Sequence, residues 1–256
     1  MPEITSYAPG KPCWADVTVP DVDAGAEFYS ELFGWTADKA PQPEAGGYTM
    51  FSKEGKYVAA ASPPAPGTEG VPPHWTVYLA TDDADATAGK IRDAGGRVMM
   101  DPFDVFDSGR MTIAADPTGA SFGLWQAGTH IGAQLRREPG TMNWAECQTT
   151  DPAAARAFYE QVFDYEVEEA QMGGPDPYIL LKAGGEPAAG VIKIGADWGP
   201  VPSNWSVVFE VDDTDAAVAK VQELGGRQLM EPMDLPEVGR FAVVADKWGT
   251  VFQVIT

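Results

Sequence analysis

The same pattern appears twice in this chain, 130 positions apart, with no net insertion between the copies. Trp14-Ala15-Asp16 returns as Trp144-Ala145-Glu146, Phe28-Tyr29 as Phe158-Tyr159, and Asp82-Asp83 as Asp212-Asp213. Gly95-Gly96-Arg97 returns as Gly225-Gly226-Arg227, Gly109-Arg110 as Gly239-Arg240, and Asp116 and Gly119 as Asp246 and Gly249. A chain that holds one register over this distance is built from two copies of one unit, and any fold assigned to one copy must suit the other. Positions that match report what the shared fold requires. Positions that differ show where the copies are free to diverge, and functional residues belong to either group.

Within a copy the hydrophobic periods are clear. Residues 12–20 alternate, with Cys13, Ala15, Val17 and Val19 on one side and Trp14, Asp16 and Thr18 on the other, as in a strand. Asp21 is placed to cap a helix whose Phe28/Leu32 and Tyr29/Phe33 pairs sit at i,i+4, and Gly34 to end it. In the second copy Asp151-Pro152 starts the helix with proline at its first position. Strands follow around 48–52 and 57–61, mirrored by 178–182 and 187–191. After the Pro-rich loop 63–73 come a strand at 74–81, a helix capped by Asp82 or Asp83 that runs to Gly95-Gly96, and closing strands at 97–100, 110–115 and 121–126. Each copy is thus two βαβββ units. The predicted class is α+β: two domains, residues 8–127 and 138–256, joined by a linker at 128–137, with curved mixed sheets around clefts and the helices outside.

Composition narrows the function. The 256 residues carry 17 basic and 38 acidic side chains, a net charge of −21, which opposes binding to nucleic acid or to an anionic membrane. The N-terminus shows no basic segment followed by an apolar one, and no apolar run is long enough to span a bilayer. Cys13 and Cys147 are not counterparts and lack zinc-site spacing; alternation places both on the helix side. These features lead us to expect a cytoplasmic protein, monomer or homodimer, without nucleic-acid or membrane partners.

The order of the elements resembles the vicinal oxygen chelate superfamily, which includes glyoxalase I, bleomycin-resistance proteins and extradiol dioxygenases. Val19-Pro20-Asp21, Phe28-Tyr29, Phe33-Gly34, Asp82-Asp83, Gly95-Gly96 and Asp116-Pro117-Thr118-Gly119 carry the resemblance, and each has a counterpart in the second copy. Asn143-Trp144-Ala145-Glu146, Glu237-Val238-Gly239-Arg240 and Gly123-Leu124-Trp125-Gln126 are similar to motifs of duplicated bacterial members often labelled hydroxylases or antibiotic-pathway proteins. The resemblance implies a divalent metal held in the cleft by His, Glu or Gln. At the implied ligand positions stand Trp14, Thr76 and Gly123 in the first copy and Trp144, Ser206 and Gln253 in the second, and the strands near 59–61 and 189–191 offer no ligand side chain. Tryptophan does not bind metal, and a lone Ser, Thr or Gln is a poor ligand for a transition metal. The expectation is therefore no metal and no cofactor.

The face away from the helices is predicted to be aromatic and polar, suited to a small molecule. Asp16 and Glu146 are the candidate acid/base residues, each two positions from a tryptophan on the same side of its strand. The alternative for them is an internal ion pair with Arg110 or Arg240. Trp14, Trp144, Trp125, Tyr78, Arg110, Arg240, Glu210 and Gln253 are the candidate ligand-binding residues, the indoles by stacking on a planar group and the arginines by clamping a carboxylate. For the tryptophans the competing role is plain filling of a narrow cleft. Two functions from different classes follow. One is a metal-independent protein that binds a planar aromatic natural product or antibiotic-like ligand. The other is an enzyme that acts on a polyketide, lactone or glyoxal-type substrate with Asp16 or Glu146 as acid/base. A divergent metal enzyme using Glu146, Glu210 and Gln253 ranks last, because Ala80 and Gly123 replace two of these in the first copy.

Overall fold

Each opening strand is followed by a helix that the sequence punctuates on both sides. A computed structural model describes residues 3–68, 70–171 and 176–256. After β1 (Pro12–Thr18), the Asp21 carboxylate accepts a hydrogen bond from Ala24 N and starts α1 (Val22–Phe33). Gly34 ends the helix at φ 72°, a left-handed conformation that a Cβ disfavours. Then come β2 (Thr36–Lys39), β3 (Thr49–Lys53) and β4 (Lys56–Ser62), which complete one βαβββ unit. The next unit is β5 (His74–Ala80), α2 (Ala84–Asp93), β6 (Arg97–Val98), β7 (Phe103–Val105), β8 (Gly109–Ala115) and β9 (Ser121–Ala127). The second copy repeats this as β10 (Met142–Thr149), α3 (Pro152–Phe163), β11 (Glu166–Ala170), β12 (Tyr178–Ala183), β13 (Glu186–Lys193), β14 (Asn204–Glu210), α4 (Thr214–Glu223), β15 (Arg227–Leu235), β16 (Gly239–Ala245) and β17 (Val251–Ile255).

The order in the first sheet is β2-β3-β4-β1-β5-β9-β8-β6, with β7 also paired to β8, and the second sheet runs β11-β12-β13-β10-β14-β17-β16-β15. β1 runs parallel to β4 and antiparallel to β5, so the two units of one copy meet at the β1–β5 seam, and β10–β14 is the equivalent seam. The fold is α+β: two glyoxalase-like repeats of mixed sheet, neither closed into a barrel, with four α-helices among the described residues. Each cleft therefore belongs to a single copy. No helix of the described residues is long and apolar enough to cross a membrane.

The helix-side faces of the two copies share one hydrophobic core. Phe33 packs 4.8 Å from Phe209, Tyr29 lies 5.8 Å from Phe252, and Phe122 lies 6.2 Å from Phe158, measured between ring centroids. Trp75 and Trp205 are buried in this core, as alternation predicts. Polar anchors cross the same boundary. Asp116 holds its own turn with Oδ1, which accepts from Thr118 N and Ala120 N, while its Oδ2 accepts from Tyr159 OH of the other copy at 3.1 Å. Asp246 does the same with Trp248 N, Thr250 N and Tyr29 OH, the last at 2.9 Å. With the apolar faces committed to each other, the aromatic and polar faces of both sheets lie on the side away from the shared core. One cysteine departs from expectation. Cys147 joins the core, but the register shifts between Pro12 and Trp14, and Cys13 packs with the cleft-side cluster of Trp14 and Tyr78.

Candidate ligand-binding clefts

In the first copy the β1–β5 seam brings the site together. Trp14 lies opposite Tyr78, Tyr78 lies beside Gly123 of β9, and Asp16 faces Thr76 on one side and Ala60 on the other. Asp16 Oδ2 accepts from Tyr48 OH at 3.1 Å and from Tyr78 OH at 3.0 Å, and Trp14 Nε1 donates to Tyr48 OH at 3.0 Å. The result is a relay from indole to phenol to carboxylate. Glycine at 123 is what lets Tyr78 lie flat on β9, since a Cβ there would sit 2.1 Å from Tyr78 Cδ1. Asp16 is buried, and loss of solvation pushes its carboxyl up to about 6. The bonds from Tyr78 and Tyr48 and the charge of His74 pull the other way without cancelling that effect. Burial and the adjacent carboxylate hold both phenols well above their ordinary value, so they stay donors.

The chain covers this cleft with its own linker and N-terminal segment. Tyr7 OH donates to Ala133 O, Ala133 N to Cys13 O, and Trp125 Nε1 to His130 O. The His130 ring stands edge-on to Trp14 with centroids 4.6 Å apart, and burial pushes its imidazole down to about 4. Trp14, Tyr78 and Trp125 are all buried as a consequence. A cavity of about 260 Å³ remains between Trp125 and the N-terminal segment, bordered by Tyr7, Ala80, Gln126 and Ile131.

The second copy builds a related relay with different parts. Trp144 Nε1 donates to Tyr178 OH at 2.7 Å, and Tyr178 OH to Glu146 Oε2 at 3.3 Å. Gly190 makes room, since a Cβ there would lie 1.7 Å from Tyr178 OH. Val208 stands in the place of Tyr78, so no second phenol reaches the carboxylate. Glu146 Oε1 instead accepts from Gln148 Nε2 and Gln253 Nε2, both at 3.1 Å. Trp144 is only half-buried, and the Arg137 guanidinium lies 5.9 Å from its ring centroid.

The structure brings Trp14, Asp16, Tyr78 and Trp125 together in one cleft and Trp144, Glu146 and Gln253 in the other. It does not bring the arginines there. Arg110 bonds Asp85 of α2 at 2.7 Å and Asp104 at 2.8 Å, and Arg240 bonds Asp215 of α4 at 2.5 Å and Asp234 at 3.1 Å. The expected pairing of Asp16 or Glu146 with an arginine is absent, because the phase of β8 and β16 is the reverse of that predicted. Met111 lies opposite Trp125 and Ile113 opposite Gly123, so Met111 and Ile113 face the cleft, while Ala114 joins the shared core. Glu210 ends β14 and accepts from Asn143 Nδ2 at 2.8 Å, away from Glu146. Sequence reasoning missed Tyr48 and Tyr178 as the bridging phenols, although their recurrence at the repeat spacing was visible. It also missed the covering role of His130, and it left Gln148 out of the candidate ligand-binding residues although alternation puts it on the same face as Glu146.

A divalent metal of the kind the fold family implies does not fit these residues. Each cleft offers one carboxylate, Asp16 with Oδ2 held by two phenols and Glu146 with both oxygens held by phenol or amide donors, and the remaining positions are indole, hydroxyl, amide or glycine. Among the described residues no three or more His, Cys, Asp and Glu side chains gather closely enough to hold a metal ion. A transition-metal site calls for three such ligands.

Comparison with known proteins agrees with the duplicated fold. The chain matches the Glyoxalase/Bleomycin resistance protein/Dioxygenase superfamily twice, over residues 12–124 and 141–254. It is 44% identical over 257 residues to the putative glyoxylase CFP32 of Mycobacterium tuberculosis, covering 100% of this chain and 98% of that protein. It is 43% identical over 265 residues to the anthracycline biosynthesis protein DnrV of Streptomyces peucetius, covering 98% and 95%. The Mn(II)-bound glyoxalase from Novosphingobium aromaticivorans superposes with a TM-score of 0.65 at 15% identity, covering 96% of this chain and 81% of that one. The 2,3-dioxygenase LapB from Pseudomonas sp. KL28 gives 0.66 at 12% identity, covering 97% and 93%. At those identities the structural likeness speaks for the fold alone.

Proposed function

Because the chain belongs to the glyoxalase/bleomycin resistance protein/dioxygenase superfamily, we propose that it keeps the family's cleft and uses it without a metal, as a binding protein for a planar aromatic natural product. The observation that carries this reading is the repeated relay of tryptophan, tyrosine and carboxylate, whose tryptophan stands at an implied metal-ligand position in each copy, with the carboxylate two residues further along the same strand. The relay orients an indole and presents a hydrogen-bonded carboxylate beside it, which is the combination that orients a flat polar ligand. Similarity to an anthracycline biosynthesis protein over nearly the whole chain supports a fused-ring ligand. The test is titration with an anthracyclinone, read by tryptophan fluorescence and calorimetry. Saturable quenching is expected, weakened several-fold at least by Trp144→Ala, since one stacked ring contributes about 0.5–1.5 kcal/mol beyond area burial. Failure of anthracyclinones and simpler planar aromatics to bind would refute the reading.

One observation favours a second reading, in which Asp16 acts as an acid/base on such a molecule. Burial has already moved its carboxyl to about 6, within reach of neutral pH, as proton transfer requires. Under this reading Asp16→Asn lowers a turnover rate by about a hundredfold or more. Under the binding reading it changes affinity modestly and affects no rate.

A further inference from the structure

We infer that the second cleft is a polar-addressed ligand site, taking one planar molecule per chain whose hydroxyl or amino hydrogen is accepted by Gln253 Oε1. This rests on the binding reading above and adds the cleft, the stoichiometry and the chemical handle.

The argument starts from the Gln253 amide. Its side chain is only 2% exposed, and its Oε1 is buried with no hydrogen-bond partner among the described residues. The orientation of this amide is fixed by chemistry. A carboxylate only accepts, so Gln148 and Gln253 must both turn their nitrogens toward Glu146 Oε1, and the Gln253 oxygen is left facing the other way. A buried acceptor left unpaired is costly, and a donor on a bound molecule relieves that cost.

The surroundings of that oxygen suit a flat molecule. Trp144 supplies a partly exposed ring, with the Arg137 guanidinium 5.9 Å from its centroid and its tilt set by the bond to Tyr178 OH. Val208 and Ile255 replace Tyr78 and Trp125 of the first copy, two large aromatic side chains exchanged for two smaller aliphatic ones. The first cleft differs on both counts. Its own Tyr78 gives Asp16 Oδ2 a second hydrogen bond, and Trp125, His130 and Tyr7 pack over its tryptophan side. In the first cleft the chain's own side chains cover Trp14 and leave a cavity only beside Trp125, whereas in the second a partly exposed ring shares the cleft with an unmet acceptor.

Calorimetry with 2,6-dihydroxyanthraquinone and 2,6-dimethoxyanthraquinone, which share a ring system but not a donor, tests this on the intact chain. The expected result is one site per chain and tighter binding of the dihydroxy compound by about tenfold or more, the effect of leaving a buried acceptor unpaired against the ether. Gln253→Met should bring the two compounds to similar affinity. Gln148→Met removes the other amide donor from Glu146 but leaves the acceptor, so it should retain the preference and shows that the loss belongs to the oxygen of Gln253. Should Gln253→Met not fold, the comparison of the two compounds on the unaltered protein still decides. Equal affinities, two sites per chain, or a preference that survives in Gln253→Met would each overturn the inference while leaving the binding reading standing. No binding of either compound would overturn the inference, and the anthracyclinone titration then decides the binding reading by itself.

Discussion

Asp16→Asn should stabilise the folded protein, and by an amount that grows with pH. In the fold the carboxyl is raised from its ordinary value of 3.8 to about 6, mainly because burial strips its solvation. The folded state therefore binds a proton more tightly than the unfolded chain does. For such a group the contribution to stability is complete below the unfolded value, falls as pH rises between the two values, and levels off above about 6. Integrating that difference, the ionised carboxyl costs the fold about 1.5 kcal/mol at about pH 5 and about 3 kcal/mol at about pH 8. Asparagine does not titrate. Both phenol bonds end on a single oxygen, Oδ2, so the asparagine carbonyl can accept both, and the substitution removes charge while keeping the relay. Urea unfolding of the two proteins across this range should show the gap between them widening by about 1.5 kcal/mol toward high pH. Any fixed cost of burying the new NH₂ group shifts both ends equally. A gap that stays constant with pH, or narrows, would show that Asp16 is not held in a desolvated site, and the acid/base reading would lose its support.

Two further outcomes are expected. Tyr29→Phe and Tyr159→Phe each remove a buried bond to a carboxylate of the other copy, at Asp246 and Asp116, and should each lower stability by about 1.5–3 kcal/mol in urea unfolding; unchanged midpoints would refute these bonds as anchors between the copies. Elemental analysis of the purified protein should find zinc, iron, manganese and nickel well below one per chain, and a stoichiometric metal whose removal abolishes an activity would refute the metal-free reading.

Much of the fold was legible because it depends on local chemistry. Asp21, Asp83, Asp151 and Asp213 all cap helices through their carboxylates, a role visible from a short acidic residue ahead of an apolar helical period. The face of β1 was legible because Trp14 and Asp16 differ so sharply from Ala15 and Val17. The face of β8 was not. Arg110, Met111, Thr112 and Ile113 alternate only weakly, and both phases are chemically plausible until β9 is laid alongside and Met111 falls opposite Trp125. Arg110 then turns to Asp85 in the first turn of α2, an acidic partner set by tertiary placement rather than sequence spacing. The covering of the first cleft was out of reach for the same reason. The linker has no period of its own, and only the fold shows that Ala133 N meets Cys13 O and that His130 comes to rest against Trp14.

The two clefts show how a duplicated site diverges without losing its frame. Tyr78 and Gly123 are neighbours across β5 and β9, and Val208 and Gln253 are neighbours across β14 and β17. In the first copy the large group stands on one strand and the absence of a side chain on the other; in the second copy the long side chain has moved to the other strand. Neither change is tolerable alone. A side chain at position 123 would collide with the Tyr78 ring, and a glycine at 253 beside Val208 would leave Glu146 with one amide donor fewer and a void next to it. Taken together they deliver the same service, a hydrogen-bond donor to the carboxylate, from opposite sides of one strand pair. The donors differ in what they leave behind. A phenol that donates its one hydrogen to the carboxylate keeps a hydroxyl oxygen that can accept, as Tyr48 accepts from Trp14. An amide that donates its nitrogen still has an oxygen to offer, and in this chain that oxygen has no partner among the described residues. The exchange of a phenol for an amide thus leaves the second copy with a buried acceptor that is unpaired among the described residues.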